Sequence, residues 1–176
     1  MEKLKKITTV DHLVETLKNN TGKHSYLQIV KAVDIPLREF ERYFSWNKDH
    51  YTRNCIFKND DVELLLICWE KGQKSAIHDF NSNAAWVHPI KGKLTEERFL
   101  QTDEGLEKVS SVILDTSCFS FMANHVIMHR YINSYESRSV CLNLYSKPLT
   151  CWNEHDEVTG AITEKKIGYD TEFNLG

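Results

Sequence analysis

No run of apolar residues in this chain approaches the length needed to cross a bilayer as a helix. No basic patch breaks the mixture of acids and bases either. The net charge is -3 over 176 residues, and nothing in its distribution favours nucleic acid or an anionic membrane surface as a partner. Met1 to Lys6 is basic but leads into a polar amphipathic stretch, without the apolar core and small-residue cleavage site of a signal peptide. A cytoplasmic location is therefore expected. No CxxC occurs among the five cysteines. Their count is odd and the chain is too large to need covalent staples. Cys55, Cys68 and Cys141 sit inside apolar runs, so buried free thiols in a reducing compartment are expected. Repeats, linkers and low-complexity segments are also absent, and 176 residues suit one domain. A composition that is 41% hydrophobic and 27% charged supports a sizeable core.

The chain is expected to divide into a helical cap over residues 1–46 and a β-barrel over 47–176. Val10, Leu13, Val14 and Leu17 recur at helical spacing behind Thr8 and Thr9, and Asn19-Asn20-Thr21-Gly22 stops that helix. Ser25-x-x-Gln28 reads as a capping box opening a second helix, with Ile29, Val30 and Val33 on one face. After Asp34-Ile35-Pro36 a third helix is expected, with Pro36 in its first turn and Leu37, Phe40 and Phe44 inside. From Tyr51 the texture becomes that of strands. Short β-rich runs separated by turn signals continue to about Lys147, and a late strand follows the Thr159-Gly160 turn. A helical cap followed by one long run of strands predicts a mainly β barrel or sandwich.

Two histidines stand in matching frames. Gly72-x5-His78-x-Phe80-x4-Ala85-x6-Gly92 is followed, about fifty residues after His78, by His129-x3-Asn133. This is the two-part pattern of a cupin, a double-stranded β-helix that holds a metal in its mouth. Position 80 usually carries a further histidine, and strand alternation would aim it into the barrel beside position 78. Phe80 has no lone pair to donate. Neutral imidazoles from two strands can converge on one Fe, Mn, Ni, Cu or Zn ion, or they can be structural hydrogen-bonding residues. Both readings stay open on spacing alone. Asp79 should face away from the mouth.

The chain resembles the cysteine dioxygenase type I family of cupins, as a divergent member of bacterial type, over roughly residues 26 to 165. Tyr51-Thr52-Arg53-Asn54 matches that family's Tyr-Thr-Arg-Asn. Leu66-Ile67-Cys68-Trp69, Gly72 and Ile77-His78-Asp79 match the approach to its first metal motif. Met128 to Asn133 matches the second, and Leu142-Asn143-Leu144-Tyr145-Ser146-Lys147-Pro148 matches its His-Leu-Tyr-Ser-Pro-Pro. The resemblance implies a mononuclear Fe(II) held by three histidines, with cysteine or a related small thiol oxidised by O2 to its sulfinate. It implies that His78 and His129 are iron ligands and that Phe80 occupies the remaining ligand position. It gives Arg53 the substrate carboxylate, as a guanidinium fork suits. It places Tyr51 in the same pocket and makes Tyr145 the catalytic tyrosine. On the residues alone, Arg53 reads equally as a strand cation and Tyr145 as a core aromatic.

Three departures from the family pattern bear on chemistry. Phe80 removes a ligand, Ala85 replaces the cysteine that cross-links to the tyrosine in animal members, and Asn143 replaces a histidine that supports the tyrosine hydroxyl. His88, His125 and the Tyr145 phenolate are the candidates to fill the ligand gap. Parity from Ala85 turns His88 away, and the direction of His125 is not fixed by sequence. Two functions are therefore expected to compete. One is an iron-dependent thiol dioxygenase, with iron held weakly or replaced by another divalent metal. The other is a metal-free, inactive cupin that binds a small carboxylate or amino acid through Arg53. A monomer is expected.

Overall fold

A computed structural model describes residues 4–80, 82–123 and 127–173. Helix α1 covers Val10–Lys18, with the Thr9 hydroxyl accepting from the His12 amide and Val10, Leu13, Val14 and Leu17 buried. Helix α2 covers Tyr26–Ala32 and carries the complete Ser25/Gln28 capping box. The expected third α-helix is instead a pair of 3-10 turns, Leu37–Glu39 and Glu41–Tyr43, with Pro36 as the cap before the first. Their amides bond three residues back, as Phe40 does to Leu37 and Tyr43 to Phe40, each at 2.9 Å. A period of three aligns Leu37, Phe40 and Tyr43 on one edge. Tyr43 therefore takes the buried place that a helical period would give Phe44. No helix among the described residues is long and apolar enough to cross a membrane.

The strands are β1 (Thr52–Lys58), β2 (Glu63–Trp69), β3 (Ile77–His78), β4 (Ala85–Lys91), β5 (Lys93–Thr102), β6 (Gly105–Asp115), β7 (Ser120–Met122), β8 (Ile127–Ile132), β9 (Ser139–Tyr145), β10 (Cys151–His155), β11 (Ile162–Lys166) and β12 (Thr171–Glu172). They form two six-stranded sheets, ordered β12-β1-β2-β9-β4-β7 and β11-β10-β3-β8-β5-β6. In the tail, β10 precedes the Thr159-Gly160 turn, and the single late strand expected there is two short ones, β11 and β12.

The first sheet is buried on both faces, which explains the unbroken apolar run of β2. Leu64, Leu66 and Cys68 join Ile56, Trp86, Leu142 and Leu144 in a core under the helical cap. Their alternates Leu65, Ile67 and Trp69 join Cys55, Ala85, Val87, Cys141 and Tyr145 in the core between the sheets. Such two-sided burial is worth roughly 1.5–3 kcal/mol per large side chain removed from water. The same parity places Arg53 and Asn143 on the barrel side and His88 on the cap side. Cys55, Cys68 and Cys141 are buried and free as expected, whereas Cys118 and Cys151 are only half-buried.

Candidate functional site

The frame residues of the two motifs fasten the barrel rim. Gly72 (φ 84) donates its amide to the Asn133 carbonyl at 2.8 Å, and the buried Asn133 side chain donates to the carbonyls of Trp69, Glu70 and Ser137. At Gly92 (φ 69) a Cβ would lie 2.5 Å from Ser139 Oγ and 2.8 Å from the Arg138 carbonyl, so only glycine fits that turn. Between these anchors β3 pairs with β8 so that His78 and His129 are direct cross-strand partners. Their rings lie 4.4 Å apart between centroids.

Both imidazoles are held neutral. Burial pushes His78 down to about 4, against the opposing pull of its bond to the Ala76 carbonyl. That bond, Nδ1 to oxygen at 2.8 Å, directs the other ring nitrogen away from the carbonyl. Burial also carries His129 well below the usual histidine value, with the neighbouring His78 and Arg98 adding to the effect. Nδ1 of His129 is buried with no hydrogen-bond partner. Phe80 lies just past β3 but remains 2% exposed, its ring 6.0 Å from that of His129. Ring geometry confirms its nearness to the pair, and its chemistry removes a donor from it. No group of three or more His, Cys, Asp or Glu able to hold a metal is found among the described residues.

Two other residues weighed as ligands face away from the pair. His88 turns outward, with Nε2 3.2 Å from the Thr116 carbonyl. Asp79 accepts from the Asn153 amide and side chain, each at 2.8 Å, on the outer face. His125 lies outside the described residues. The Tyr145 hydroxyl accepts from Asn143 Nδ2 at 3.0 Å, and burial raises the phenol, so it is un-ionised at neutral pH. Among the described residues, the three-imidazole set of the family pattern is therefore not found.

The opposite wall is charged. Arg53 leaves β1 toward the barrel, with Nε donating to the Gly168 carbonyl at 3.1 Å and a buried Nη2 that has no hydrogen-bond partner. Its guanidinium lies 5.3 Å from the Trp152 ring, which in turn stacks 4.3 Å from His78. Tyr51 stacks on Trp69 at 4.3 Å, and burial pushes its phenol up to about 12. Tyr51, Arg53, His78, Asn143, Tyr145 and Trp152 all border one small cavity of about 20 Å³, room for about one water. A larger ligand enters only by displacing lining side chains. A wider cleft of about 780 Å³ lies outside the barrel by the α1–α2 loop and borders none of these residues.

Sequence reasoning missed four neighbours of the site. Nothing in the sequence singles out Trp152 or Trp69 as cavity-lining residues. Tyr131 also borders the cavity and bonds buried Glu96 at 2.8 Å. Parity from His129 would have found it. Glu63, fully buried 3.9 Å from Arg53 Nη2, is disguised by its place at the start of an apolar strand.

The architecture is that of a cupin-type double-stranded β-helix. A Thermus thermophilus protein matches with a TM-score of 0.52 at 15% identity, over 61% of this chain and 93% of that one. A Klebsiella pneumoniae protein described as having a double-stranded beta-helix domain matches at 0.51 and 12% identity, over 72% and 86%. These likenesses establish fold alone. The family model for cysteine dioxygenase type I matches residues 4–158, and the chain belongs to that family. Human cysteine dioxygenase type 1 is 26% identical over 153 residues, 84% of this chain and 76% of that protein. The Danio rerio protein of the same name is 24% identical, over 94% and 88%. Membership supports a thiol-dioxygenase-like function at the level of the family.

Proposed function

We propose that the barrel mouth binds a small amino-acid-type carboxylate, with cysteine or a related thiol as the ligand class, through Arg53, Tyr51 and Tyr145. The observation that carries this reading is the buried Arg53 Nη2 without a hydrogen-bond partner, on a side chain bordering the cavity. A buried guanidinium donor left unmatched is unfavourable, and a carboxylate can satisfy two such donors at once. Tyr51 and Tyr145 are un-ionised phenols beside it and offer hydroxyl donors to the same ligand. The apolar surfaces of Ile67, Trp69 and Trp152 leave an aliphatic or thiol side chain in dry surroundings.

Iron is not required for this binding. Two neutral imidazoles are too few for the family's three-histidine centre. A second reading, thiol dioxygenation at an iron or other divalent ion held weakly by His78 and His129, is favoured by one observation: His129 Nδ1 is buried and unmatched, as a nitrogen awaiting an ion would be.

Calorimetric titration of chelator-treated protein decides between them. Cysteine should bind, cysteamine (the same thiol and amine without the carboxylate) should bind much more weakly, and Arg53→Ala should abolish the difference. Equal binding of the two ligands by the wild type would end the carboxylate reading. Added Fe(II) that produces cysteine-dependent O2 uptake and a sulfinate product would establish the second.

A further inference from the structure

Arg53 is held by a part of the chain that lies beyond the family match at residue 158. Asp170 clasps its backbone: Oδ2 accepts from the Arg53 amide at 2.8 Å, and the Asp170 amide donates to the Arg53 carbonyl at 2.8 Å. β12 then pairs parallel with β1, matching Asn54 to Thr171 and Cys55 to Glu172. Gly168 takes the Nε proton, and the Tyr169 ring lies 5.9 Å from the guanidinium. The Tyr169 hydroxyl donates to Glu63, whose other oxygen accepts from the Leu149 amide at 3.4 Å. Glu63 comes from β2, is 0% exposed, and sits 3.9 Å from Arg53 Nη2.

That last distance separates orientation from charge. At 3.9 Å the Glu63 carboxylate makes no hydrogen bond to Arg53, so it does not hold the fork in place; Gly168 and the strand do. It does act on the fork's charge, because Coulomb attraction at this range in a buried setting is large. We infer that Glu63, tethered by Tyr169 of the C-terminal segment, is a specificity-determining residue that tempers Arg53, so that the mouth holds a monocarboxylate more loosely than an uncompensated arginine would. The inference rests on the Arg53 reading above. It assigns the C-terminal segment a part in ligand selection.

The chemistry gives this pair an adjustable state. Burial raises the Glu63 carboxyl, while Tyr169, Arg53, the Leu149 amide and Lys58 oppose that rise. Removing a donor from the carboxylate moves Glu63 toward its neutral form, and a neutral Glu63 leaves the whole Arg53 charge to the ligand.

Titrations at neutral pH with cysteine and with cysteamine, on wild type, Glu63→Gln and Tyr169→Phe, test this. Gln keeps the shape and one acceptor oxygen, for either Tyr169 or Leu149. Phe keeps the ring beside the guanidinium and removes only the hydroxyl. Cysteine should bind roughly ten-fold tighter to Glu63→Gln and a few-fold tighter to Tyr169→Phe, with cysteamine unchanged in both. If Glu63→Gln does not fold, Tyr169→Phe alone decides, since its effect must have the same sign. Arg53-dependent cysteine binding by the wild type that is unchanged or weaker in the variants overturns this inference and leaves the proposed function standing. Absence of cysteine binding in all three proteins overturns both.

Discussion

The two walls of the barrel mouth solve opposite problems. On the β1 side a buried charge is kept and surrounded: Arg53 has Gly168 on Nε, Glu63 as a counter-charge and aromatic rings at 5.3 and 5.9 Å. On the β3–β8 side charge is excluded, because burial keeps His78 and His129 neutral beside an apolar Phe80. A buried ion persists only where the fold supplies partners, whereas a titratable base with no partner gives up its proton. The charged wall is therefore costly to disturb, and the imidazole wall is vulnerable to acid.

Removing the ion from the first wall should have the largest effect. Arg53→Ala leaves Glu63 buried without its counter-charge, and breaking one half of such a pair costs about 3–5 kcal/mol. Urea unfolding at pH 7 should show a loss of that order, together with loss of carboxylate binding. Adding Glu63→Gln to the same chain should restore much of the stability and none of the binding. A double variant no more stable than Arg53→Ala would mean that the two residues are not coupled, and the contrast between the walls would fail.

Acid should sharpen the contrast, because the walls respond with opposite signs. Folding lowers His78 from 6.5 to about 4. Between those values the unfolded chain binds more protons, so stability is complete above pH 6.5 and is lost as pH falls toward 4. The loss from His78 amounts to about 3 kcal/mol, and His129 adds to it in the same direction. Glu63 is raised by burial, so its contribution is present at low pH and fades as pH rises through its folded value. Unfolding of chelator-treated protein at pH 7 and pH 4.5 should show net acid destabilisation. His78→Gln should flatten that dependence and Glu63→Gln should steepen it. A His78→Gln profile as steep as wild type would refute the assignment.

A third change converts one wall toward the other. Phe80→His exchanges a ring that is 2% exposed for a polar one without an assigned partner, which costs roughly 2 kcal/mol in metal-free protein. It also places a third imidazole near the His78–His129 pair. Divalent iron, cobalt or zinc should then raise the thermal midpoint of the variant well above any shift they produce in the wild type. Equal metal shifts in the two proteins would mean that the pair already has what it needs from elsewhere.

Much of the fold is legible in the sequence because its cause is local. Alternation in Ser139–Tyr145, the Ser25-x-x-Gln28 cap and the obligatory glycine at 92 each report a nearby physical demand. The 3-10 turns after Pro36 were not legible, since a period of three and one of 3.6 agree on Leu37 and Phe40 and part only at Tyr43. In the site, motif spacing points to His78 and His129, strand parity turns His88 away, and only the family resemblance singles out Arg53 and Tyr145. What surrounds Arg53 stays hidden: Asp170 is 117 residues away and Tyr169 is 106 from Glu63. No local pattern announces a partner that distant. Glu63 itself, next to a turn of acidic residues, looks like a solvated strand end.

The smallest effect belongs to the residue that stands between the walls. Tyr145 lines the cavity on β9, accepts from Asn143 Nδ2 at 3.0 Å, and leaves the buried Asn143 Oδ1 without a partner. Tyr145→Phe removes one neutral hydrogen bond, worth about 1 kcal/mol, without opening a cavity. The unfolding midpoint should therefore fall only slightly. If the hydroxyl serves the ligand of the Arg53 wall, cysteine affinity should drop a few-fold while cysteamine affinity drops less, because the carboxylate loses a donor. If affinity for both ligands falls equally, the hydroxyl acts on the thiol or amine end, beside the imidazoles. That ratio of the two losses assigns Tyr145 to one wall or the other.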